Sequence, residues 1–142
     1  MAAKAIPDGY HTVTPLVLVG APAKFLEFVK QAFGAEEILL MRGPDGAVAH
    51  AEINIGTSRI MVERSDSESS QGSFYLYVDD CDDFHGRAIR AGARPERELT
   101  NKLWGDRVGM VSDPFGNSWW IATHKEDVSP EEIGRRAAAV NR

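Results

Sequence analysis

Hydrophobic positions recur along this chain with two periods, and the order of those periods repeats once. β-Branched residues dominate from Tyr10 to Val19 and the run stops at Gly20, which predicts a strand; Pro15 lacks an N–H and requires an open side or a bulge there. Phe25, Leu26, Phe28, Val29, Ala32 and Phe33 fall at helical spacing, Pro22 suits a first helical turn and Gly34 an end, so 22–33 predicts a helix. Glu36 to Arg42 predicts a second strand and Gly43-Pro44-Asp45-Gly46 a turn. A third strand follows from Ala47 to Ile55, a turn at Gly56-Thr57, and a fourth strand from Ser58 to Glu63.

Residues 65–72 hold Ser65, Ser67, Ser69, Ser70 and Gly72 among acids and read as a solvated linker. The same order then returns: a strand from Ser73 to Val78, a helix from Asp82 to Ala91 stopped by Gly92, and a strand from Arg94 to Leu99. A loop from Thr100 to Gly105, a strand from Asp106 to Ser112, a turn over 113–117 and a last strand from Ser118 to Thr123 complete it. Val19 and Val78, Gly34 and Gly92, and Gly56 and Gly116 sit at nearly one offset. Two βαβββ units in tandem explain this economically. The fold class is therefore α+β, within one domain over 1–142, repeat one at about 10–64 and repeat two at about 73–124. Ser129-Pro130-Glu131-Glu132 has the capping-box pattern and opens a further helix over about 130–140, with Ile133, Ala137 and Val140 along one side. Lacking a counterpart in the first half, it is expected over an edge or a subunit interface.

The 142 residues suffice for one ordinary domain with a core that needs no covalent staple, and 43% hydrophobic with 26% charged residues is a globular balance. A formal charge of −5 argues against a general nucleic-acid binder. The single cysteine, Cys81, forbids an internal disulfide and suits a reducing compartment. Its acidic neighbours Asp79, Asp80, Asp82 and Asp83 disfavour a thiolate, so it reads as inert and structural. No signal-peptide core and no membrane-length apolar run is present, and the expectation is a cytoplasmic protein without membrane contact.

Phe28 to Glu36 (FVKQAFGAE) and Ala49-His50-Ala51-Glu52-Ile53 resemble segments of PhnB-like members of the glyoxalase/bleomycin-resistance (vicinal oxygen chelate) superfamily. So do Leu76-Tyr77-Val78-Asp79-Asp80, Trp104-Gly105-Asp106-Arg107, Asp113-Pro114-Phe115-Gly116-Asn117 and Trp119 to His124. Each motif alone is weak; their order is specific. The resemblance implies curved mixed sheets with a helix on each convex side, concave faces joined as a cup, a homodimer, and a ligand or divalent metal in the cup. Metal-dependent relatives take one ligand from the first and last strand of each unit, positions that fall near Thr14, Ile60, Ser73 and Trp120. Ile and Trp offer no donor, so no metal or cofactor is expected there.

Strand alternation sends Ala49, Ala51, Ile53 and Ile55 toward the helices and Val48, His50, Glu52 and Asn54 into the cup. The family alignment adds Thr12, Thr14, Leu16, Ile60, Val62, Ser73, Tyr75, Tyr77, Val108, Met110 and Trp120 to the lining. The candidate ligand-binding residues are His50, Glu52, Tyr75, Tyr77, Trp104, Arg107, Met110 and Trp120, an amphipathic set that suits a flat organic molecule. Asp106 either pins Arg107 in a structural ion pair or joins it in gripping an anionic group. His11, His85 and His124 look peripheral.

Three readings stay open. One is a binding protein that sequesters a small aromatic or drug-like molecule, as bleomycin-resistance relatives do. Another is a lyase, isomerase or dioxygenase-type enzyme with Glu52 as general base and His50 as its partner or as a metal ligand. The third is an interaction module whose cup is filled.

Overall fold

The computed structural model describes residues 3–66 and 71–140, so much of the linker, Ser67 to Ser70, lies outside the described residues. Two compact units divide between Gly72 and Ser73. The first contains β1 (Leu16–Val19), α1 (Pro22–Phe33), β2 (Glu36–Arg42), β3 (Val48–Ile55) and β4 (Ser58–Arg64). In the second are β5 (Ser73–Tyr77), α2 (Cys81–Arg90), β6 (Arg94–Asn101), β7 (Asp106–Ser112), β8 (Ser118–His124) and α3 (Pro130–Val140). Each sheet is mixed and four-stranded, ordered β1-β4-β3-β2 and β5-β8-β7-β6, with the first pair parallel and the others antiparallel. The tandem βαβββ order and the additional C-terminal helix are thus present.

Local chemistry explains the elements. In α1, Pro22 opens the first turn and Gly34, at φ 67°, closes the last with N–H bonds back to Lys30 and Val29 carbonyls from 34 and 35. Its face of Phe25, Val29 and Ala32 is wholly buried, and α1 packs on β3 and β4. Deleting a ring such as Phe25 costs about 3–5 kcal/mol in a core of this kind. Asp80 caps α2 by accepting from the Asp83 N–H at 3.2 Å, with Asp82 and Asp83 in the first turn and Arg87 and Arg90 in the last, matching the helix dipole. Cys81 is buried at the start of α2. The 113–117 turn closes around Asp113, whose carboxylate accepts from the Phe115 and Asn117 N–H groups, the Asn117 amide and the Trp119 indole.

Several expectations need correction. The first strand begins at Leu16, not Tyr10; Pro15 contributes only its carbonyl, to the Met61 N–H, because it has no donor to extend the ladder. Thr100 and Asn101 extend β6 instead of forming a loop. Ile60 and Val62 do not line the face turned away from the helix. They sit opposite Ile53 and Ala51 and are 5% and 0% exposed, so they belong to the core under α1. Val48 is buried too, because a register shift at Met41/Arg42 breaks the alternation of β3.

Candidate functional site

Cross-strand register defines the helix-free face of the second sheet. Tyr75, Trp120 and Met110 form one row, Tyr77, Ala122 and Val108 the next, and Asp106 and His124 a third. Asp106 is 2% exposed and holds this surface together. Its Oδ2 accepts from the Tyr75 hydroxyl at 2.8 Å, the Tyr77 hydroxyl at 2.8 Å and the Trp104 indole N–H at 3.1 Å. Its Oδ1 faces His124 Nδ1 at 2.8 Å, and His124 Nε2 lies 2.8 Å from Asp127. Both ring nitrogens therefore face acceptor-only carboxylates, an arrangement that suits the imidazolium.

The electrostatics follow. Burial alone would push the Asp106 carboxyl up, yet the donors His124, Tyr75, Tyr77 and Trp104 together hold it below the usual carboxylate range. Burial, then the bond to Asp106, pushes the Tyr75 phenol up to about 12. Tyr77 is raised chiefly by its bond to Asp106, and His124 by its bonds to Asp106 and then Asp127. While their polar ends are fixed, the rings remain open: Tyr75, Tyr77 and Trp104 are 43%, 61% and 40% exposed. Tyr75 lies 5.2 Å from Tyr77 between ring centroids and stacks at 6.5 Å and 14° on Trp120.

The loop carrying Trp104 is clamped from below. The Gly105 carbonyl accepts from the N–H groups of Lys125 and Glu126, and a side chain at Gly105 would collide with the Glu126 carbonyl. On α3, Arg136 bonds the Leu103 carbonyl at 3.1 Å and Glu126 at 2.8 Å. This extra helix therefore braces the loop that presents Trp104.

On the first sheet, the helix-free face carries Glu52 opposite Met61, His50 opposite Glu63 and Asn54 opposite Arg59. His50 Nε2 lies 2.8 Å from Glu52, and its Nδ1 lies 3.4 Å from Glu63. Glu52 borders a cleft of about 510 Å³ formed with Ile6, Tyr10, His11, Thr12, Thr14 and Met61. Arg59 bonds Asn54 at 2.7 Å and sets its guanidinium 4.6 Å from the Tyr10 ring centre.

His50 joins Glu52, and Tyr75, Tyr77, Trp104, Met110 and Trp120 share one face of the second sheet with Asp106. Arg107 does not join them. As the strand neighbour of Asp106 it points to the opposite face, where Asp82 grips it through two bonds at 2.8 and 3.1 Å. The pairing of Asp106 with Arg107, in either of its expected forms, is replaced by these separate partners. Sequence reasoning missed Asp106 as a hub and placed His124 at the periphery. The signal was available: Asp106 shares parity with Val108 and Met110, and His124 with Trp120 and Ala122. His85 is 9% exposed, its Nε2 has no hydrogen-bond partner among the described residues, and burial lowers its basicity.

A divalent metal does not suit the positions implied for its ligands. Thr14 and Ser73 supply only hydroxyls, Ile60 is buried beneath α1, and Trp120 stacks on Tyr75. Among the described residues no group of three His, Cys, Asp or Glu side chains converges as a metal site. His50 and His124 each sit between two carboxylates, but those acids reach opposite ring nitrogens and flank the imidazole instead of converging with it. No helix among the described residues is long and apolar enough to cross a membrane.

Residues 10–121 match the family described as the Glyoxalase/Bleomycin resistance protein/Dioxygenase superfamily. An uncharacterised protein of Mycobacterium bovis is 33% identical over 134 residues, spanning 85% of this chain and 88% of that one. Among solved structures, TioX from Micromonospora sp. ML1 matches with TM-score 0.67 at 24% identity, over 79% of this chain and 98% of its own. The fosfomycin resistance protein FosX from Listeria monocytogenes matches with TM-score 0.67 at 16% identity, over 87% and 97%. At those identities the two structures speak for the fold alone.

Proposed function

Because the chain belongs to the Glyoxalase/Bleomycin resistance protein/Dioxygenase superfamily, we propose that it is a small-molecule binder of the PhnB-like kind, and that it receives a flat organic ligand on the aromatic face of its second unit. One observation carries this reading. Tyr75, Tyr77 and Trp104 are 40% exposed or more, yet all three are held by a single buried carboxylate oxygen. Aromatic rings fixed in advance lose little freedom on binding, and Trp120 and Met110 extend the same apolar surface. All three tryptophans, Trp104, Trp119 and Trp120, lie in this unit, so their fluorescence reports on it directly. Titration with a panel of planar aromatic compounds is expected to change that fluorescence, and Trp120→Ala to weaken the best of them about tenfold by calorimetry. A panel that leaves both signals silent would sink the proposal. A homodimer accompanies this reading and is tested by sedimentation.

The His50–Glu52 bond of 2.8 Å at the edge of the first unit's cleft favours a second reading. There Glu52 abstracts a proton beside a ligand carbonyl while His50 orients it. Glu52→Gln is expected to abolish turnover of such a substrate and leave the fold intact. Turnover that survives the substitution, or a wild-type chain inert across carbonyl compounds, removes it.

A further inference from the structure

Resting on the aromatic-face reading, we infer the charge of the ligand: the cage of Tyr75, Tyr77 and Trp104 around Asp106 takes an organic cation, a protonated amine or quaternary ammonium carried on an aromatic or apolar body. Three features of the second unit lead to this class.

The first is how the rings are held. Both phenols and the indole direct their only donor into Asp106 Oδ2. Donation to a carboxylate leaves the ring faces richer in electron density, and an electron-rich aromatic face attracts a cation within about 6 Å of its centre. The same bonds leave these side chains with no N–H or O–H to offer an anion. An anion would also have to approach the buried charge of Asp106.

Surrounding charge is the second feature. Tyr77 and His124 line a cleft together with Val78, Asp79 and Thr123. Asp79 lines this cleft, and Asp106 and Asp127 bond the two ring nitrogens of His124. The cations Lys102, Arg107 and Lys125 line a different cleft, with Asn101, Gly105, Asp106 and Glu126, and Arg107 is held by Asp82.

Third, the chain already places a cation on this aromatic surface. The guanidinium carbon of Arg97 lies 5.8 Å from the Trp120 ring centre, and Trp120 stacks on Tyr75. Arg97 comes from β6, directly opposite Met110 on the same face. A cationic ligand over Tyr75 and Tyr77 would repeat, further along the surface, a contact the fold itself makes.

The test uses the full chain and three probes of similar shape: benzyltrimethylammonium, its uncharged carbon isostere neopentylbenzene, and benzoate. Tryptophan fluorescence and calorimetry read binding. The cation is expected to bind at least tenfold tighter than the isostere, with an affinity that falls as salt is added. Tyr77→Leu should lose about fivefold or more of the cation's affinity, and Tyr77→Phe, which keeps the ring, distinctly less; thermal midpoints of both variants verify folding. Equal binding of cation and isostere overturns the inference while leaving the aromatic-face reading in place. Tighter binding of benzoate overturns it as well and points to the lysines. If none of the probes binds and the wider aromatic panel is also silent, both fall.

Discussion

The two units share one topology and differ in what their helix-free faces carry. The first unit's face is aliphatic around a polar pair: Leu16, Leu18, Leu39 and Met41 are 37–53% exposed, and His50 bonds Glu52 among them. On the second, aromatic rings surround one carboxylate. Each face also has a histidine between two acids, His50 between Glu52 and Glu63 and His124 between Asp106 and Asp127. Those histidines occupy different strands, β3 and β8, so the likeness is chemical and not positional. Duplication thus fixes where a sheet exposes a face; what that face binds is set afterwards by the residues placed on it.

Removing the polar centre of each unit should separate them most strongly. Asp106 is buried and receives four donors, and losing its charge leaves those groups facing an amide that can satisfy few of them. Asp106→Asn is therefore expected to cost about 2–4 kcal/mol, the range for breaking a buried charged hydrogen-bond network. Among the described residues Glu52 bonds His50, at a half-buried site, and the amide of Glu52→Gln can still make that bond. A loss of about 1 kcal/mol or less follows. Denaturant unfolding read by tryptophan fluorescence isolates the second unit, and circular dichroism reads both. Equal losses, or a larger one at Glu52, would break the contrast.

This asymmetry was only partly legible in the sequence. The elements were, in order and type, because their signals are local: Pro22 and Gly34 bracket α1. Parity was also readable, and went wrong at β4 for an instructive reason. A two-residue turn at Gly56-Thr57 makes Ile55 face Ser58, hence Ile53 face Ile60 and Ala51 face Val62. Hairpin arithmetic alone therefore puts Ile60 and Val62 beside the core residues of β3, whereas alignment to a family's metal positions put them on the other side. The Asp106 hub was harder. Arg107 stands next to it in sequence and is the obvious partner, but neighbours on a strand diverge, and each found its partner across the fold: Arg107 with Asp82, Asp106 with residues from β5, β8 and the Trp104 loop. Which donors converge on a carboxylate is a tertiary fact, and side-chain reach does not follow from spacing.

A smaller effect sharpens the comparison at His124. Its bonds to Asp106 and then Asp127 raise its pKa above the ordinary 6.5, so the folded chain keeps the ring proton to higher pH than the unfolded chain. Below about pH 6.5 both states carry the proton and the full stabilisation is present. As pH rises further the unfolded chain releases it first, the advantage shrinks, and it is gone once pH passes the folded value. Asp106, held below 3.8, keeps its charge throughout this range and is not the group being titrated. The difference in thermal midpoint between the wild type and His124→Gln should therefore stay level from about pH 5 to about 6.5 and fall above that. It should remain well below the loss at Asp106, because the ring is 46% exposed and its partner Asp127 is fully so. A midpoint difference that is flat across neutrality, or that widens as pH rises, would mean that His124 is neutral between its two aspartates, with a single N–H to give to one of them, and the charge of the hub would then be held chiefly by Tyr75, Tyr77 and Trp104.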